Sequence, residues 1–164
     1  MSEIGFYHLL RSPLESALPK LLQKVLDSGA RAVVMAGSPE RVESLTTLLW
    51  TFNPNSFLPH GSARDGKPEQ QPIWLTERDE NPNGAQALFL IHGALTARAD
   101  PACAVVCRLF DGADSTAVAA ARGAWSTDKA TGLLLTYWRQ TERGWVNEAS
   151  ANDGDNDAAA RAQP

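Results

Sequence analysis

Short, almost uniformly apolar runs alternate along the chain with longer segments whose apolar residues recur at helical spacing. Such apolar runs are typical of strands that are covered on both faces, as in a parallel sheet. Six strands are predicted, at 4–10, 32–36, 72–76, 87–91, 104–110 and 133–140, with 144–146 closing the fold. Helices are predicted at 14–27, 39–51 and 114–132. This order predicts a single three-layer α/β domain with a mostly parallel sheet and right-handed crossovers.

Two of the helices carry signals at their ends. Ser38 is a suitable N-cap for the second helix, and Pro39 follows at the first helical position, where its missing N–H costs nothing. Asp114 or Ser115 can cap the third helix. Gly132 can end it, because glycine adopts the left-handed conformation without strain.

Three segments interrupt this regular pattern. Pro19 lies inside the first helical segment and predicts a helix start near Ala17. Residues 51–71 form a long irregular loop, apolar in its first half and polar in its second. Beyond Asn147 the chain is rich in Ala, Asn, Asp and Gly without periodicity. We therefore expect an ordered domain over 1–147 and a disordered acidic tail over 148–164.

The third helix carries two distinct faces. One face consists of small residues that would let the helix lie close against a sheet: Ala117, Ala120, Ala121 and Ala124. Val118, Arg122, Trp125 and Lys129 fall within about 60° of one another on a neighbouring face. Trp125 can be a core residue with the two cations snorkelling at its edge. Alternatively, this face is a docking surface for an anionic, partly apolar partner.

Composition and charge restrict the classes of function. A chain of 164 residues that is 43% apolar can bury one sizeable core. The net charge is −4, of which −3 lies after Asn147, so the body is close to neutral. Proteins that grip DNA directly are usually strongly basic, and direct DNA binding is not favoured. No apolar run approaches the roughly 18 residues of a membrane span, and no signal peptide is evident, so we expect a cytoplasmic protein.

The expected chemistry of a nucleotide-binding α/β protein is missing. No glycine-rich phosphate loop follows the first or second strand, and there is no G-x-S-x-G nucleophile motif. Cys103 and Cys107 lie in an apolar run, and we interpret both as buried structural thiols rather than zinc ligands. His8 is expected to be structural. His92, after the fourth strand, and His60, in the long loop, are weak candidates for a catalytic base, so no catalytic residue, metal or cofactor is predicted.

A set of short motifs occurs in an order and spacing shared with one protein family. The motifs are F-Y-x-L at Phe6–Leu9, L-W at Leu49–Trp50, S-F-L-P-H at Ser56–His60, Q-P-I at Gln71–Ile73, A-R-x-x-W at Ala121–Trp125 and G-x-x-x-x-Y-W at Gly132–Trp138. Together they resemble the chi subunit of the bacterial DNA polymerase III holoenzyme, over residues 1 to about 146. The most specific piece is S-F-L-P-H, whose histidine follows the L-W tryptophan by ten residues.

The resemblance implies a non-catalytic adaptor with a fold like a nucleotide-binding domain but without its phosphate-binding loop. Chi subunits connect the clamp loader, through a small partner called psi, to single-stranded DNA-binding protein. They capture the acidic C-terminal tail of that protein, which ends in Pro-Phe. The implied contact with nucleic acid is therefore indirect, and no membrane or cofactor is implied.

The resemblance also assigns roles to particular residues. Arg122 aligns with the family's tail-binding arginine, and Trp125 aligns with an aromatic residue of the same pocket. Val118 and Lys129 would add an apolar shelf and a point charge. Where some relatives carry a lysine after the aromatic residue, this chain has Ser126, one positive charge fewer. The psi contact would use the four residues Trp50, Phe57, Pro59 and His60.

Two other classes of function remain open from the residues themselves. A small-molecule enzyme with a site near His60 or His92 would bind a ligand at the strand ends. A purely structural subunit of another assembly would bind through Trp50 and Phe57 but not through Arg122. An adaptor is favoured because the convergent cluster of charged and aromatic residues is cationic and lies on a helix.

Overall fold

The computed structural model describes residues 3–53, 55, 58–91 and 103–152. Within these residues the chain forms one eight-stranded sheet, three α-helices and a short 3-10 turn at Pro68–Gln70. The strands are β1 Glu3–Leu9, β2 Ala32–Met35, β3 His60–Ser62, β4 Ile73–Thr76, β5 Ala87–Leu90, β6 Val105–Asp111, β7 Leu134–Thr141 and β8 Gly144–Ala151. The helices are α1 Leu14–Asp27, α2 Pro39–Thr51 and α3 Ser115–Lys129.

The strand order across the sheet is β3-β4-β2-β5-β6-β1-β7-β8. Every neighbouring pair is parallel except β7 and β8, which form an antiparallel hairpin. The predicted α/β class with a mostly parallel sheet is therefore confirmed. The antiparallel pair can be joined by a short turn, whereas each parallel neighbour needs a longer crossover connection.

Helices cover the sheet on both faces and divide the core into two layers. The core of one face, which we call the α1–α2 face, is built from side chains such as Leu18, Leu45, Leu75, Phe89 and Leu109. The core of the opposite face, the α3 face, includes Phe6, Val106, Phe110, Ala121 and Leu135. α3 packs across β6, β1 and β7.

The helix ends form as the sequence predicts. The Ser38 side chain accepts a hydrogen bond from the Arg41 amide at the start of α2. The Asp114 carboxylate accepts bonds from the Thr116 and Ala117 amides, at 2.9 and 3.2 Å, at the start of α3. Gly132 follows α3 with φ +80°, the left-handed conformation that glycine favours. None of the described helices is long and apolar enough to cross a membrane.

α1 has the bounds that the hydrophobic pattern predicts, and Pro19 does not delay its start. α1 begins at Leu14 rather than near Ala17, and it contains Pro19. A proline at this position removes the hydrogen bond to the Glu15 carbonyl, but Glu15 is exposed, so water can take that place. The Pro19 ring itself is buried among the core side chains.

Two strands were not predicted from the sequence. β3 lies within the segment predicted to be an irregular loop, and β8 extends the predicted closing segment to Ala151. Ala149, Ser150 and Ala151 pair with β7, so β8 continues past Asn147, where the sequence predicted the ordered domain to end. Residues 153–164 of the predicted tail lie outside the described residues.

Candidate functional site

The α3 surface comprises the four residues Val118, Arg122, Trp125 and Lys129. Its backbone is set close to the sheet by Ala121, which is buried and contacts the core of the α3 face. Ala117 and Ala124 are half-buried beside it, whereas Ala120, which was expected to face the sheet, is exposed. The small-residue face therefore contacts the sheet through three of its four alanines.

Trp125 is partly a core residue and partly a surface residue. Its ring lies edge-on to Phe6, with 5.2 Å between ring centroids, and edge-on to Tyr137 at 5.9 Å. Val118 also packs partly against this core. Both side chains remain only half-buried, so they form an apolar shelf whose inner side is core and whose outer side meets solvent.

The two cations of the α3 surface point away from the core. Arg122 and Lys129 are both exposed. Within the part of the chain that the structure describes, neither side chain takes part in an ion pair. Seven helical positions separate them, about 10 Å along the axis, with Trp125 between them. The α3 surface thus presents an aromatic ring flanked by two cations.

Sequence reasoning missed a polar group that adjoins this surface. His8 Nδ1 and the Tyr137 hydroxyl are 2.8 Å apart, and the His8 ring stacks on Phe110 at 4.9 Å between centroids. Burial lowers the pKa of His8, and the positive charges of Arg122 and Arg139 lower it further. His8 was expected to be structural, and its contacts fit that role. The alternating pattern of β7 could have indicated that Tyr137 and Arg139 share a face.

An ion pair between β7 and β8 lies beyond Tyr137. Arg139 Nε is 3.2 Å from a Glu148 carboxylate oxygen, and both side chains are nearly half exposed. Glu148 occupies an irregularity in the β7–β8 ladder, where Tyr137 pairs with Ala149 and Trp138 pairs with Asn147. Burial raises the pKa of Tyr137, with a further contribution from the Glu148 charge.

Another ion pair lies beneath α3 and joins it to β6. Arg108 on β6 is 3.5 Å from the Asp128 carboxylate, with side chains only 12% and 19% exposed. The Arg108 guanidinium carbon lies 5.5 Å from the centre of the Phe6 ring. Burial lowers the pKa of Arg108 and raises the pKa of Asp128, while their mutual attraction opposes both shifts. This pair links α3 to the sheet next to Trp125.

The Trp50 surface comprises the four residues Trp50, Phe57, Pro59 and His60. Trp50, near the end of α2, leaves 58% of its surface exposed. Its ring centroid is 4.9 Å from that of His60, which is buried on β3. Pro59 is half-buried, and Phe57 lies outside the described residues.

His60 holds the segment before β3 in place. Its Nδ1 is 2.6 Å from the carbonyl oxygen of Leu58, whose side chain is completely buried. Because a carbonyl can only accept, Nδ1 must carry the proton. A buried imidazole engaged in this way is a structural group rather than an accessible base, so the geometry favours the loop-positioning role over catalysis.

A cavity of about 490 Å³ lies where the chain leaves β1 and β6 in opposite directions. This is the position at which open α/β sheets usually bind ligands. Its charged lining comprises Glu15, Arg41, Asp111 and Asp114. Three carboxylates against one guanidinium repel a phosphate group. The cavity therefore does not fit a nucleotide, and His60 does not line it.

Other candidates for chemistry give little support to an enzyme. Cys103 and Cys107 are buried and form no disulfide within the described residues, and burial raises the pKa of Cys107 to about 12, so that thiol stays protonated. They pack in different layers of the core, because Cys103 precedes β6 instead of lying within it. His92 lies outside the described residues. Among those residues, no group of three or more His, Cys, Asp and Glu side chains could hold a metal ion.

Comparisons with known proteins agree with the motifs. A family model described as "DNA polymerase III chi subunit, HolC" matches residues 1–136. A probable DNA polymerase III subunit chi from Rickettsia prowazekii (strain Madrid E) is 33% identical over 91 residues. That alignment covers 56% of this chain and 55% of the relative, so it spans just over half the length of each. The region matched by the family model contains the α3 surface and the Trp50 surface.

Proposed function

The chain belongs to the DNA polymerase III chi subunit family, and on this premise we propose that it is a non-catalytic adaptor of the replicative polymerase. In this role it links the clamp loader to single-stranded DNA-binding protein. The α3 surface docks the acidic C-terminal tail of that protein, and the Trp50 surface binds a psi-like subunit. Contact with DNA is indirect, and these partners would place the protein in the cytoplasm.

The observation that carries the tail-docking proposal is the exposed Arg122 beside the half-buried Trp125. A guanidinium can bind a carboxylate through two parallel hydrogen bonds. Trp125 is held by Phe6 and Tyr137, so its outer side offers a rigid shelf for a terminal phenylalanine. Lys129 adds a second charge about two turns beyond Arg122 along α3.

The proposed psi contact is supported by the Trp50 surface. A tryptophan with 58% of its surface exposed is unusual on a surface where large apolar side chains are mostly covered. Its position above His60 on β3 fixes the ring against the sheet edge. A rigid exposed tryptophan is a common anchor of protein interfaces.

The test is a titration of the protein against a fluorescent peptide ending in Asp-Asp-Asp-Ile-Pro-Phe. We expect binding that weakens as salt is added, because the contacts are between charges. Arg122→Ala should reduce affinity by about tenfold or more, since charge-assisted hydrogen bonds contribute roughly 1.5–3 kcal/mol. Arg78→Ala is the matched control, because Arg78 is an exposed arginine between β4 and β5. Equal affinities of the wild type and Arg122→Ala would contradict the proposal.

A further inference from the structure

The irregularity in the β7–β8 ladder determines where Glu148 lies. Asn147 and Ala149 are paired with consecutive residues of β7, so Glu148 is an extra residue with no register partner of its own. Bulges of this kind redirect one side chain of a strand. Here the redirected Glu148 carboxylate lies 3.2 Å from Arg139 Nε. Among the described residues, Arg139 forms its ion pair with this carboxylate.

Arg139 lies on the same side of the sheet as the α3 surface. It is in register with His8, whose imidazole contacts the Tyr137 hydroxyl. Tyr137, two positions before Arg139 on β7, contacts Trp125. A continuous path of contacts therefore leads from Trp125 through Tyr137 and His8 to the strand position of Arg139.

The charges around His8 support this placement. Arg122 and Arg139 both lower the pKa of His8, and Glu148 raises it. Arg122 and Glu148 also act with opposite sign on Tyr137. Two guanidinium groups from different elements and one carboxylate thus act on the charge of His8. A carboxylate-rich peptide lying on Arg122 and Trp125 would bring its charges close to Arg139.

We propose that Arg139 is a second arginine of the peptide-docking site, and that Glu148 is an internal carboxylate that occupies it until a peptide carboxylate takes its place. This inference rests on the proposed docking of an acidic tail and adds the residue pair that limits its affinity. The exchange replaces one carboxylate on Arg139 by another, so its electrostatic cost is small. The Arg139–Glu148 pair is itself largely exposed and contributes little to stability.

The experiment measures affinity for the same acidic peptide in four proteins at low salt. Glu148→Gln keeps the shape of the side chain and removes its charge, and we expect it to bind about two- to fivefold more tightly, the range for one exposed charge pair. Arg139→Gln should bind several-fold more weakly. The double variant should bind like Arg139→Gln, because without Arg139 there is no site for Glu148 to occupy.

The matched control is Glu43→Gln. Glu43 forms an ion pair of the same kind with Arg64, at 2.8 Å between exposed side chains. It lies on α2, which packs against β3 and β4 at the opposite end of the sheet. The control makes the same change in net charge, so equal tightening by Glu43→Gln and Glu148→Gln would overturn the inference.

The remaining outcomes separate this inference from the proposed function. If binding depends on Arg122 but is unchanged or weakened by Glu148→Gln, tail docking stands and the role of Glu148 is overturned. If Glu148→Gln tightens binding equally with and without Arg139, competition for Arg139 is overturned. If neither the wild type nor Glu148→Gln binds the peptide, both proposals fail.

Discussion

His8 illustrates how a single residue takes its properties from partners that are distant in the chain. Its ring stacks on Phe110, its Nδ1 contacts the Tyr137 hydroxyl, and its Nε2 atom is buried without a partner among the described residues. Protonation would place a positive charge there, beside Arg122 and Arg139. Burial and these two charges therefore favour the neutral ring, and the pKa of His8 is lowered from its ordinary value of 6.5.

The lowered pKa of His8 predicts a pH dependence of stability. Below about pH 6.5 the unfolded chain takes up a proton at His8 that the folded protein resists, so the free energy of unfolding falls as the pH falls through this window. Above it the contribution is fully present. Urea denaturation at about pH 7.5 and about pH 5.5 should show a smaller loss for His8→Leu than for the wild type. An equal loss in both proteins would show that other groups account for the acid sensitivity.

At the residue scale the sequence predicts exposure better than contact. Helical periodicity placed Arg122 and Trp125 on one face of α3, and both lie on the solvent side of the helix or at its edge. No periodicity relates Glu148 to Arg139, because their contact depends on a one-residue irregularity between strands. The sequence does not predict the burial of His60 either, because that burial depends on a strand of only three residues.

At the scale of elements, α3 is joined to β6 by the Arg108–Asp128 pair. The two side chains are largely buried and 3.5 Å apart, and burial shifts both pKa values against the charged forms. Desolvation of such a pair can exceed the attraction between its members. The pair therefore fixes the position of α3 more than it stabilises the fold, since an uncompensated partner would be strongly unfavourable.

This balance predicts different effects for one and two substitutions. Asp128→Ala leaves the Arg108 guanidinium buried without its carboxylate and should lower the free energy of unfolding by about 2–4 kcal/mol. Adding Arg108→Met should restore stability to within about 1 kcal/mol of the wild type, because no charge is then buried. Urea denaturation of both variants provides the measurement. A double variant as unstable as the single one would attribute the loss to packing instead of an unpaired charge.

The elements that the sequence predicted are those with strong local signals. α2 and α3 have capping side chains that act as expected, and the central strands are apolar throughout. β3 and β8 were missed because they are the two edge strands. β8 is largely exposed, so its sequence need not be apolar. β3 is buried, but its three residues H-G-S are too few to show a strand pattern.

At the scale of the whole molecule, one candidate surface lies at an edge of the sheet and the other lies toward the opposite edge. The Trp50 surface adjoins β3, the first strand in the sheet order, and the α3 surface lies over β6, β1 and β7 near the other edge. Their side chains belong to separate elements and are far apart, and distant sites usually contribute independently.

Independence predicts two selective losses of function. Trp50→Ala should abolish or strongly weaken binding of a co-expressed psi-like subunit, while affinity for the acidic peptide changes by less than about twofold. Arg122→Ala should have the reverse effect. Co-purification and peptide titration of the same two variants measure both. A variant that loses both activities would indicate that the surfaces are coupled or that the fold is damaged, and circular dichroism separates these explanations.

The width of the sheet has a mechanical consequence. Eight strands at spacings of about 4.8 Å make a platform roughly 34 Å wide, and hydrogen bonding between its strands makes it stiff. Ligands on the Trp50 surface, beside β3, and on the α3 surface, over β6, β1 and β7, would therefore be held at a nearly constant separation. A rigid spacer of this kind sets the effective concentration of one ligand around the other, so two modest affinities would combine into stronger attachment when the two ligands also belong to one assembly.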